Sequence, residues 1–163
     1  MIPLGEFSID QIGFVVRDIE AFISQLKIFF DISEPRIIDW PIEGIDPHST
    51  LYGEPAKWKN RLGFISLENI NIELIQPIEG DSIFKRFLED HGPGLHHLRS
   101  TADDFNEMMD SFIDSGYEKI ASGDGVHAGS RWAFFDTTSD FQGLVVELRT
   151  KLDEHTENSG WLK

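Results

Sequence analysis

Cysteine is absent from the 163 residues of this chain. Its absence excludes disulfide bonds, thiolate nucleophiles and zinc sites that use cysteine. Long apolar runs are also missing, since none reaches the ~18–20 residues that a membrane-spanning helix needs. The first stretch, MIPLGEFSIDQ, lacks the basic region and apolar segment of a signal peptide. We therefore expect a cytoplasmic protein with no membrane partner.

Positive charge is scarce as well. Lys and Arg number 14 against 29 Asp and Glu, so the formal net charge is −15. A field of this sign repels nucleic acid, and we expect no nucleic-acid partner. A local basic cluster can still bind an anionic small molecule, and Lys57, Lys59 and Arg61 in KWKNR form one such cluster. A solvated surface is the simpler interpretation of these three residues.

What is present is a globular composition, with 40% hydrophobic residues and 13 Phe. Residues 9–16 are apolar and β-branched, which is typical of a strand. Apolar residues at helical spacing predict a helix over 17–30, with Asp18 as its N-cap. Three prolines break 34–50 into short strands and turns. Two strands, RLGFISLE and INIELIQP, follow and join at a turn around Glu68-Asn69. SIFKRFLEDHG then predicts a short helix.

The second half of the chain repeats this order. LHHLRST predicts a strand, DDFNEMMDSFIDSGY a helix, and SRWAFFDTTSDFQGLVVELRT two strands. An alignment of Gln11 with His97 also places Glu73 in NIELI opposite Glu147 in VVELR. The repeat predicts two β-α-β-β-β modules related by a pseudo-two-fold axis.

We therefore expect an α+β chain with one domain over residues 1–152, whose modules span about 8–80 and 94–151. The tail 153–163 is polar and should fray, although Trp161 could dock on the domain.

Strand alternation decides which polar side chains share a face. Gln11 faces away from the side on which the helix packs, and Glu73 and Glu147 are each flanked by apolar residues that face the core. In GPGLHHLRS, Leu98 is the natural core residue. Alternation then joins His97 to the polar face and sends His96 to the other face or into the preceding turn.

Four positions thus converge, and they offer one amide, one imidazole and two carboxylates: Gln11, His97, Glu73 and Glu147. This donor set suits a divalent metal with coordination positions left open for water or substrate. The same spacing also fits two solvent-facing glutamates and a hydrogen-bonded core histidine.

The motifs resemble those of the vicinal oxygen chelate superfamily, the group of glyoxalase I, methylmalonyl-CoA epimerase, extradiol dioxygenases and antibiotic-resistance binding proteins. IDQIGFVVRDIE is similar to the family's opening strand and helix, and IELIQPIEG to the strand that carries the second ligand. GPGLHHLRS is similar to the start of the second module, and GVHAGSRWAFFDTTSDFQGLVVEL to the epimerase ending. The resemblance covers about residues 9–151. It implies a glyoxalase-like, partly open barrel-shaped sheet with helices outside, and a homodimer.

The resemblance also places the four positions on the family's metal ligands, which implies Zn, Ni, Co or Mn as a cofactor. Gln11 departs from the histidine that is usual in epimerases and is similar to the zinc-type glyoxalase I of animals. It counts against an extradiol dioxygenase, whose iron site has two histidines and one glutamate. Glu147 is implied as a ligand and acid/base, with Glu73 as a second acid/base or a spectator ligand.

Three functions follow from the resemblance. A methylmalonyl-CoA-epimerase-like isomerase comes first, on the stretches GPGLHHL and DFQGLVVEL. A glyoxalase I-like lactoylglutathione lyase is second, favoured by Gln11, and a non-catalytic small-molecule-binding protein is third. The partner is then an acyl-CoA or a glutathione adduct. Arg99 and Arg131 are candidates for a substrate carboxylate, the KWKNR cluster for CoA phosphates, and His127 for the pocket mouth. Surface ion pairs are an equal interpretation of these basic residues, and a surface position is the simpler one for His127.

Overall fold

The computed structural model describes residues 8–159, and within them ten strands form one mixed sheet. The strands are β1 (Ile9–Val15), β2 (Arg36–Trp40), β3 (Thr50–Leu51), β4 (Glu54–Pro55), β5 (Trp58–Ser66), β6 (Asn71–Gly80), β7 (Gly94–Ala102), β8 (Lys119–Asp124), β9 (Arg131–Phe135) and β10 (Val145–Thr150). The helices are α1 (Ile19–Phe29), α2 (Ile83–His91), α3 (Phe105–Asp114) and α4 (Glu154–Ser159). The sheet curls into a half-barrel with helices outside, which confirms the predicted α+β fold.

The strand order reveals the internal repeat. The sheet runs β2-β5-β6-β1-β7-β10-β9-β8-β3-β4. β1 and β7 pair antiparallel at its middle, and each pairs on its other side with a parallel strand, β6 or β10. Each half therefore has the same β-α-β-β-β order, and the two halves are related by the pseudo-two-fold axis that the alignment predicted. Helix α2 connects them.

One element crosses between the halves. The hairpin of β3 and β4 belongs to the first half by sequence but pairs with β8 of the second half. Thr50 lies opposite Ser122, and their hydroxyl oxygens are 2.7 Å apart. The Pro-rich segment 34–50, in which short strands were predicted, contains β2 and the first residue of β3. The β3–β4 hairpin extends the end of the sheet opposite to β2.

Helices α1 and α3 begin in the same way. The Asp18 carboxylate accepts a hydrogen bond from the amide of Ala21 at 2.8 Å, as predicted, and Asp104 does the same for Glu107 at 2.9 Å. Each helix packs on an apolar cluster on the outer side of its own half. A third cluster lies within the curl and includes Val15, Trp58, Leu62, Ile75, Phe84, Phe134 and Val145. The apolar residues are thus divided between the two faces of the sheet, as strand alternation requires.

The tail differs from the expectation of fraying, because Glu154–Ser159 forms α4. Its start is capped by Asp153, which accepts a hydrogen bond from the amide of Thr156 at 2.8 Å. Arg149 of β10 also pairs with Glu157 of the helix, and the composition of the tail alone carries no signal for this ion pair. Trp161 lies outside the described residues. None of the helices that the structure describes is long and apolar enough to cross a membrane.

Candidate metal centre and ligand cavity

The four central strands bring the predicted ligands together in two adjacent rows. The first row across β6, β1, β7 and β10 consists of Glu73, Gly13, His97 and Val145. The second row consists of Asn71, Gln11, Arg99 and Glu147. Gln11 and His97 occupy equivalent places in the two halves, and so do Glu73 and Glu147. The predicted pseudo-symmetry is therefore present in the strand register.

The two carboxylates meet at one ring nitrogen. Nε2 of His97 is 3.3 Å from a carboxylate oxygen of Glu73 and 3.3 Å from one of Glu147. The three ligand atoms all lie within 4.8 Å of one another. His97 is fully buried, and the side chains of Glu73 and Glu147 are only 13% and 8% exposed. The cluster has the residue types and the spacing of a divalent-metal site.

Gly13 makes room for the His97 ring. A Cβ built at position 13 would stand 1.8 Å from Cε1 of His97. Any side chain there would therefore force the imidazole away from both carboxylates. This close approach gives a physical reason for a glycine in the middle of β1.

Three atoms of the candidate ligands are among the buried polar atoms that lack a hydrogen-bond partner within residues 8–159. They are Oε1 of Gln11, Nε2 of His97 and Oε2 of Glu147. A buried polar atom without a partner is costly, and protein structures contain few of them. A cation bound among these atoms would accept a lone pair from each of the two oxygens and from the ring nitrogen, so all three atoms would have a partner. The residues therefore fit the metal that the resemblance implies.

The charge of the cluster supports the same conclusion. Burial opposes protonation of His97, but the interaction with the carboxylates of Glu147 and Glu73, each 3.3 Å from Nε2, outweighs it and raises the pKa of His97 to about 9. In the metal-free protein the imidazolium proton thus offsets part of the negative charge. A divalent cation would take over that role and displace the proton.

His96 corrects a prediction. Alternation sends it away from His97, yet the Nδ1 atoms of the two rings lie 3.1 Å apart. The reason is a β-bulge: Gly13 pairs with His97 but Phe14 pairs with Leu95, which leaves His96 as the extra residue. A bulge interrupts alternation locally, and hydrophobic patterning carries no signal for it.

His96 lies in an aromatic environment formed by α2 and β9, against the rings of Phe84, Phe87 and Phe134. Burial, followed by the nearby His97, lowers its pKa well below the ordinary value. A neutral His96 can accept the Nδ1 proton of His97, which leaves Nε2 of His97 directed at the carboxylates.

A cavity of about 420 Å³ opens above the cluster. Gln11, Glu73 and Glu147 line it, and aromatic residues form much of its wall: Trp40, Trp58, Phe64, Phe84, Trp132 and Phe134. This volume and mixed lining are typical of a small-molecule site.

All three residues predicted to contact substrate also line the cavity. Arg99 is buried and donates from Nε to Asp10 at 2.6 Å. His127 is buried too, while Arg131 is exposed and lies over the ring of Phe105. Their roles toward a substrate stay predictions.

The KWKNR cluster lies elsewhere. Its three basic residues are not part of the cavity lining. Lys59 and Arg61 pair with Asp39, and Arg61 also pairs with Glu20. The simpler interpretation, a surface of ion pairs, describes these two residues.

Three further polar residues that were not predicted from the sequence also line the cavity: Arg149, Glu157 and Asn60. Period-2 alternation could have found Arg149, because it follows Glu147 by two residues on β10 and so shares its face. Glu157 had no such signal, since it comes from the helix in the tail.

Comparisons with known proteins agree with this architecture. The family model of the Glyoxalase/Bleomycin resistance protein/Dioxygenase superfamily matches residues 10–135. The Bacillus subtilis (strain 168) protein YqjC is 29% identical over 101 residues, which cover 61% of this chain and 72% of that protein. An ethylmalonyl-CoA/methylmalonyl-CoA epimerase of Cereibacter sphaeroides is 32% identical over 87 residues, which cover 52% of this chain and 65% of the epimerase.

Solved structures show the same fold. A methylmalonyl-CoA epimerase variant of Streptomyces coelicolor, in complex with 2-nitronate-propionyl-CoA, superposes with a TM-score of 0.64 at 19% identity. The match covers 91% of this chain and 97% of that structure. With the family match over most of its length, the chain belongs to the Glyoxalase/Bleomycin resistance protein/Dioxygenase superfamily.

Proposed function

We propose that the protein is a metal-dependent epimerase that acts on the carbon next to a thioester carbonyl, like methylmalonyl-CoA epimerase. The observation that carries this proposal is the carboxylate pair Glu73 and Glu147, each 3.3 Å from the same nitrogen of His97 at the edge of one cavity. Inversion at a carbon requires that a proton leave one face and return to the other. Two carboxylates, from strands on either side of the β1–β7 pair, suit that requirement.

The residues then have distinct tasks. One carboxylate takes the α-proton, and the other returns a proton to the opposite face of the planar carbon. Both carboxylates line the same cavity, so both are within reach of one bound molecule. Glu147 is the more buried of the two, and we assign it as the principal base.

The metal would be held by Gln11, Glu73, His97 and Glu147. A divalent cation supplies electrostatic stabilisation of the negative charge that develops on the carbonyl oxygen as the α-proton leaves. Metal analysis after reconstitution with Zn, Ni, Co or Mn would identify which of these ions the protein binds. The set lacks the second histidine ligand of an extradiol iron site, since His96 contacts His97 through Nδ1 and lies among aromatic rings.

The test is proton exchange at the α-carbon in deuterium oxide, with separate enantiomers of methylmalonyl-CoA. Wild type should epimerise each enantiomer and incorporate solvent deuterium. With Glu73→Gln or Glu147→Gln, one carboxylate remains and can exchange one enantiomer without inverting it, so exchange and epimerisation should separate. Glu79→Gln, an exposed carboxylate on the same strand as Glu73, is the matched control. Equal exchange and epimerisation in all three metal-loaded variants would contradict the assignment.

A second candidate is a glyoxalase I-like lactoylglutathione lyase. Gln11 favours it, since glutamine in place of histidine is similar to the zinc-type glyoxalases. The chemistry again begins with proton removal next to a carbonyl, so the same carboxylates would serve. Formation of lactoylglutathione from the hemithioacetal of methylglyoxal and glutathione, without epimerisation of the thioester, would select this candidate.

A third candidate is a non-catalytic protein that binds a small molecule in the same cavity. Two carboxylates that meet at one buried histidine count against it, because buried charges without a cation are costly. Failure of every divalent ion to bind after reconstitution would favour this candidate.

The homodimer implied by the resemblance stays a prediction, as does a cytoplasmic location. Helix α1 ends in an apolar surface at Ile28, Phe29 and Phe30, whose residues are 67%, 76% and 61% exposed. Light scattering on the purified protein would measure the oligomeric state.

A further inference from the structure

A second polar cluster lies in the same cavity, outside the candidate metal ligands. It joins Arg149 on β10, His127 in the loop before β9, and Glu157 on α4, and we call it the Arg149 cluster. The two terminal nitrogens of Arg149 donate to the two carboxylate oxygens of Glu157 at 2.7 and 2.9 Å. Nη2 of Arg149 also lies 3.2 Å from Nδ1 of His127. The guanidinium is thus in position to bind a planar carboxylate at two points.

Three arginines line the cavity within the described part of the chain, and they differ in the group that contacts each positive charge. Arg99 pairs with Asp10, which is fixed in the adjoining strand. Arg131 lies exposed over an aromatic ring. Arg149 is buried, yet its acidic partner belongs to a six-residue helix at the end of the chain. Arg149 is therefore the arginine whose carboxylate partner can leave without a change in the sheet.

The asymmetry of burial points the same way. The Arg149 side chain is 9% exposed, whereas the Glu157 side chain is 44% exposed. A buried guanidinium without an anion is costly, so the site needs a carboxylate from some source. Arg149 also follows Glu147 by two strand residues, so their Cα atoms are about 7 Å apart. A carboxylate on Arg149 would lie within one small molecule's length of the candidate metal ligands.

We propose that Arg149, assisted by His127, is the carboxylate-recognition site of the cavity, and that Glu157 occupies it until the carboxylate of a bound ligand takes its place. The choice of ligand class rests on the proposed function: the ligand is an acyl thioester that carries a free carboxylate. Helix α4 then acts as an internal competitor, and ligand binding releases it from Arg149.

The first test is the affinity of the metal-loaded protein for methylmalonyl-CoA and for propionyl-CoA, which lacks the carboxylate. Glu157→Gln removes the internal competitor and should tighten methylmalonyl-CoA binding on the order of tenfold. Propionyl-CoA binding should change much less. Glu154→Gln, on an exposed residue of the same helix, is the matched control and should resemble wild type. Arg149→Gln should weaken methylmalonyl-CoA binding and leave propionyl-CoA binding near its wild-type value.

The second test keeps the proposal falsifiable if Arg149→Gln does not fold. Hydrogen exchange of residues 154–159 in the wild-type protein should speed up when methylmalonyl-CoA is added, and should not respond to propionyl-CoA. Greater protection of these residues would mean that α4 closes over the ligand, which would overturn the proposal. Unchanged or weaker methylmalonyl-CoA binding in Glu157→Gln would overturn it as well.

The two proposals can fail separately. If α-exchange occurs but Glu157→Gln has no effect on binding, the proposed function stands and the carboxylate site is wrong. If no thioester undergoes exchange, free methylmalonate is titrated instead. Tighter methylmalonate binding in Glu157→Gln than in Glu154→Gln would then support the site without the epimerase activity, and equal binding would overturn it.

Discussion

The two halves of the molecule have the same framework but carry different chemistry at equivalent positions. The first half contributes Gln11 and Glu73, and the second contributes His97 and Glu147. Opposite His97 on the neighbouring strand is Gly13, whereas Arg99 stands opposite Gln11. The first half thus contributes an amide and, at Gly13, room for the His97 ring, and the second contributes that imidazole and a buried arginine.

This difference shows how a repeated framework becomes an asymmetric site. Each central strand has one β-bulge, and the extra residues are Asp10 on β1 and His96 on β7. In the first half the extra residue pairs with Arg99, and in the second it contacts the ring of His97. The backbone places the donors symmetrically, while the side chains at the bulges and the lack of one at Gly13 decide how each donor is held. Substitutions at Gly13 and at the bulges should therefore affect metal binding more than a change that makes the two halves alike.

The largest effect on stability and metal binding should come from adding a side chain at Gly13. In Gly13→Ala the new Cβ would overlap the His97 ring, so we expect a loss of about 1–3 kcal/mol in the free energy of unfolding, together with loss of metal binding. Chemical denaturation and metal analysis measure the two effects.

Gly94→Ala is the control for that substitution. Gly94 begins the neighbouring strand, and a Cβ there would have nothing within 4 Å. Equal stability and equal metal binding in the two variants would show that the lack of a side chain at Gly13 is not needed to position His97.

The next effect should come from the bulge in the second half. In His96→Leu the Nδ1 atom of His97 loses its partner, and removal of a group that orients a ligand typically lowers metal affinity about 10–100-fold. His96→Gln keeps an acceptor and should recover part of the loss. His91→Leu, on an exposed histidine stacked on Phe87, is the control. Metal titration by calorimetry gives the affinities, and an unchanged affinity in His96→Leu would exclude the positioning role.

The pH dependence of metal binding should arise from the titration of His97, which belongs to the second half. The folded pKa of His97 is about 9, above the ordinary 6.5, because Glu147 and Glu73 outweigh the effect of burial. In the metal-free protein this ion pairing stabilises the fold fully below pH 6.5, and the stabilisation is lost as the pH rises through 9.

A metal must displace the same proton, so its affinity should increase by about tenfold per pH unit up to about 9. Calorimetry in two buffers of different protonation enthalpy should detect release of close to one proton at neutral pH. Binding without proton release would contradict a protonated His97 in the metal-free protein.

The smallest effect should come from making the two halves more alike. Gln11→His replaces one donor by another of similar size, so we expect less than about 1.5 kcal/mol of destabilisation and retained metal binding. The affinity change should be smaller than in His96→Leu. Thermal unfolding with and without metal measures both, and complete loss of the metal would show that the amide itself is required.

Much of this arrangement could be predicted from the sequence. The alternation of β1, the aspartate before α1 and the recurrence of NIELI as VVELR together predicted the two modules and the face shared by Gln11, Glu73, His97 and Glu147. These features depend on local periodicity, which a single sequence displays directly. The structure brings these residues together, and their role as metal ligands stays a prediction.

Three features could not be predicted, and each depends on contacts between separate elements of the fold. The bulge at His96 results from the pairing of β7 with β1. Helix α4 contains a polar sequence whose position depends on a guanidinium in β10. Short strands were predicted in the Pro-rich segment, but the pairing of the β3–β4 hairpin with β8 of the other half was not. Composition describes each segment alone and does not identify the element with which that segment pairs.

The crossing of that hairpin has a consequence for how the two repeats depend on each other. Without β3, the outer edge of β8 would expose unpaired backbone amides and carbonyls, which invite association with other chains. The sheet of the second repeat is therefore completed by β3, a strand that comes from the first repeat. A fragment that encodes the second repeat alone would lack the strand that covers β8, and in a fragment that encodes the first repeat alone β3 would lack the strand with which it pairs.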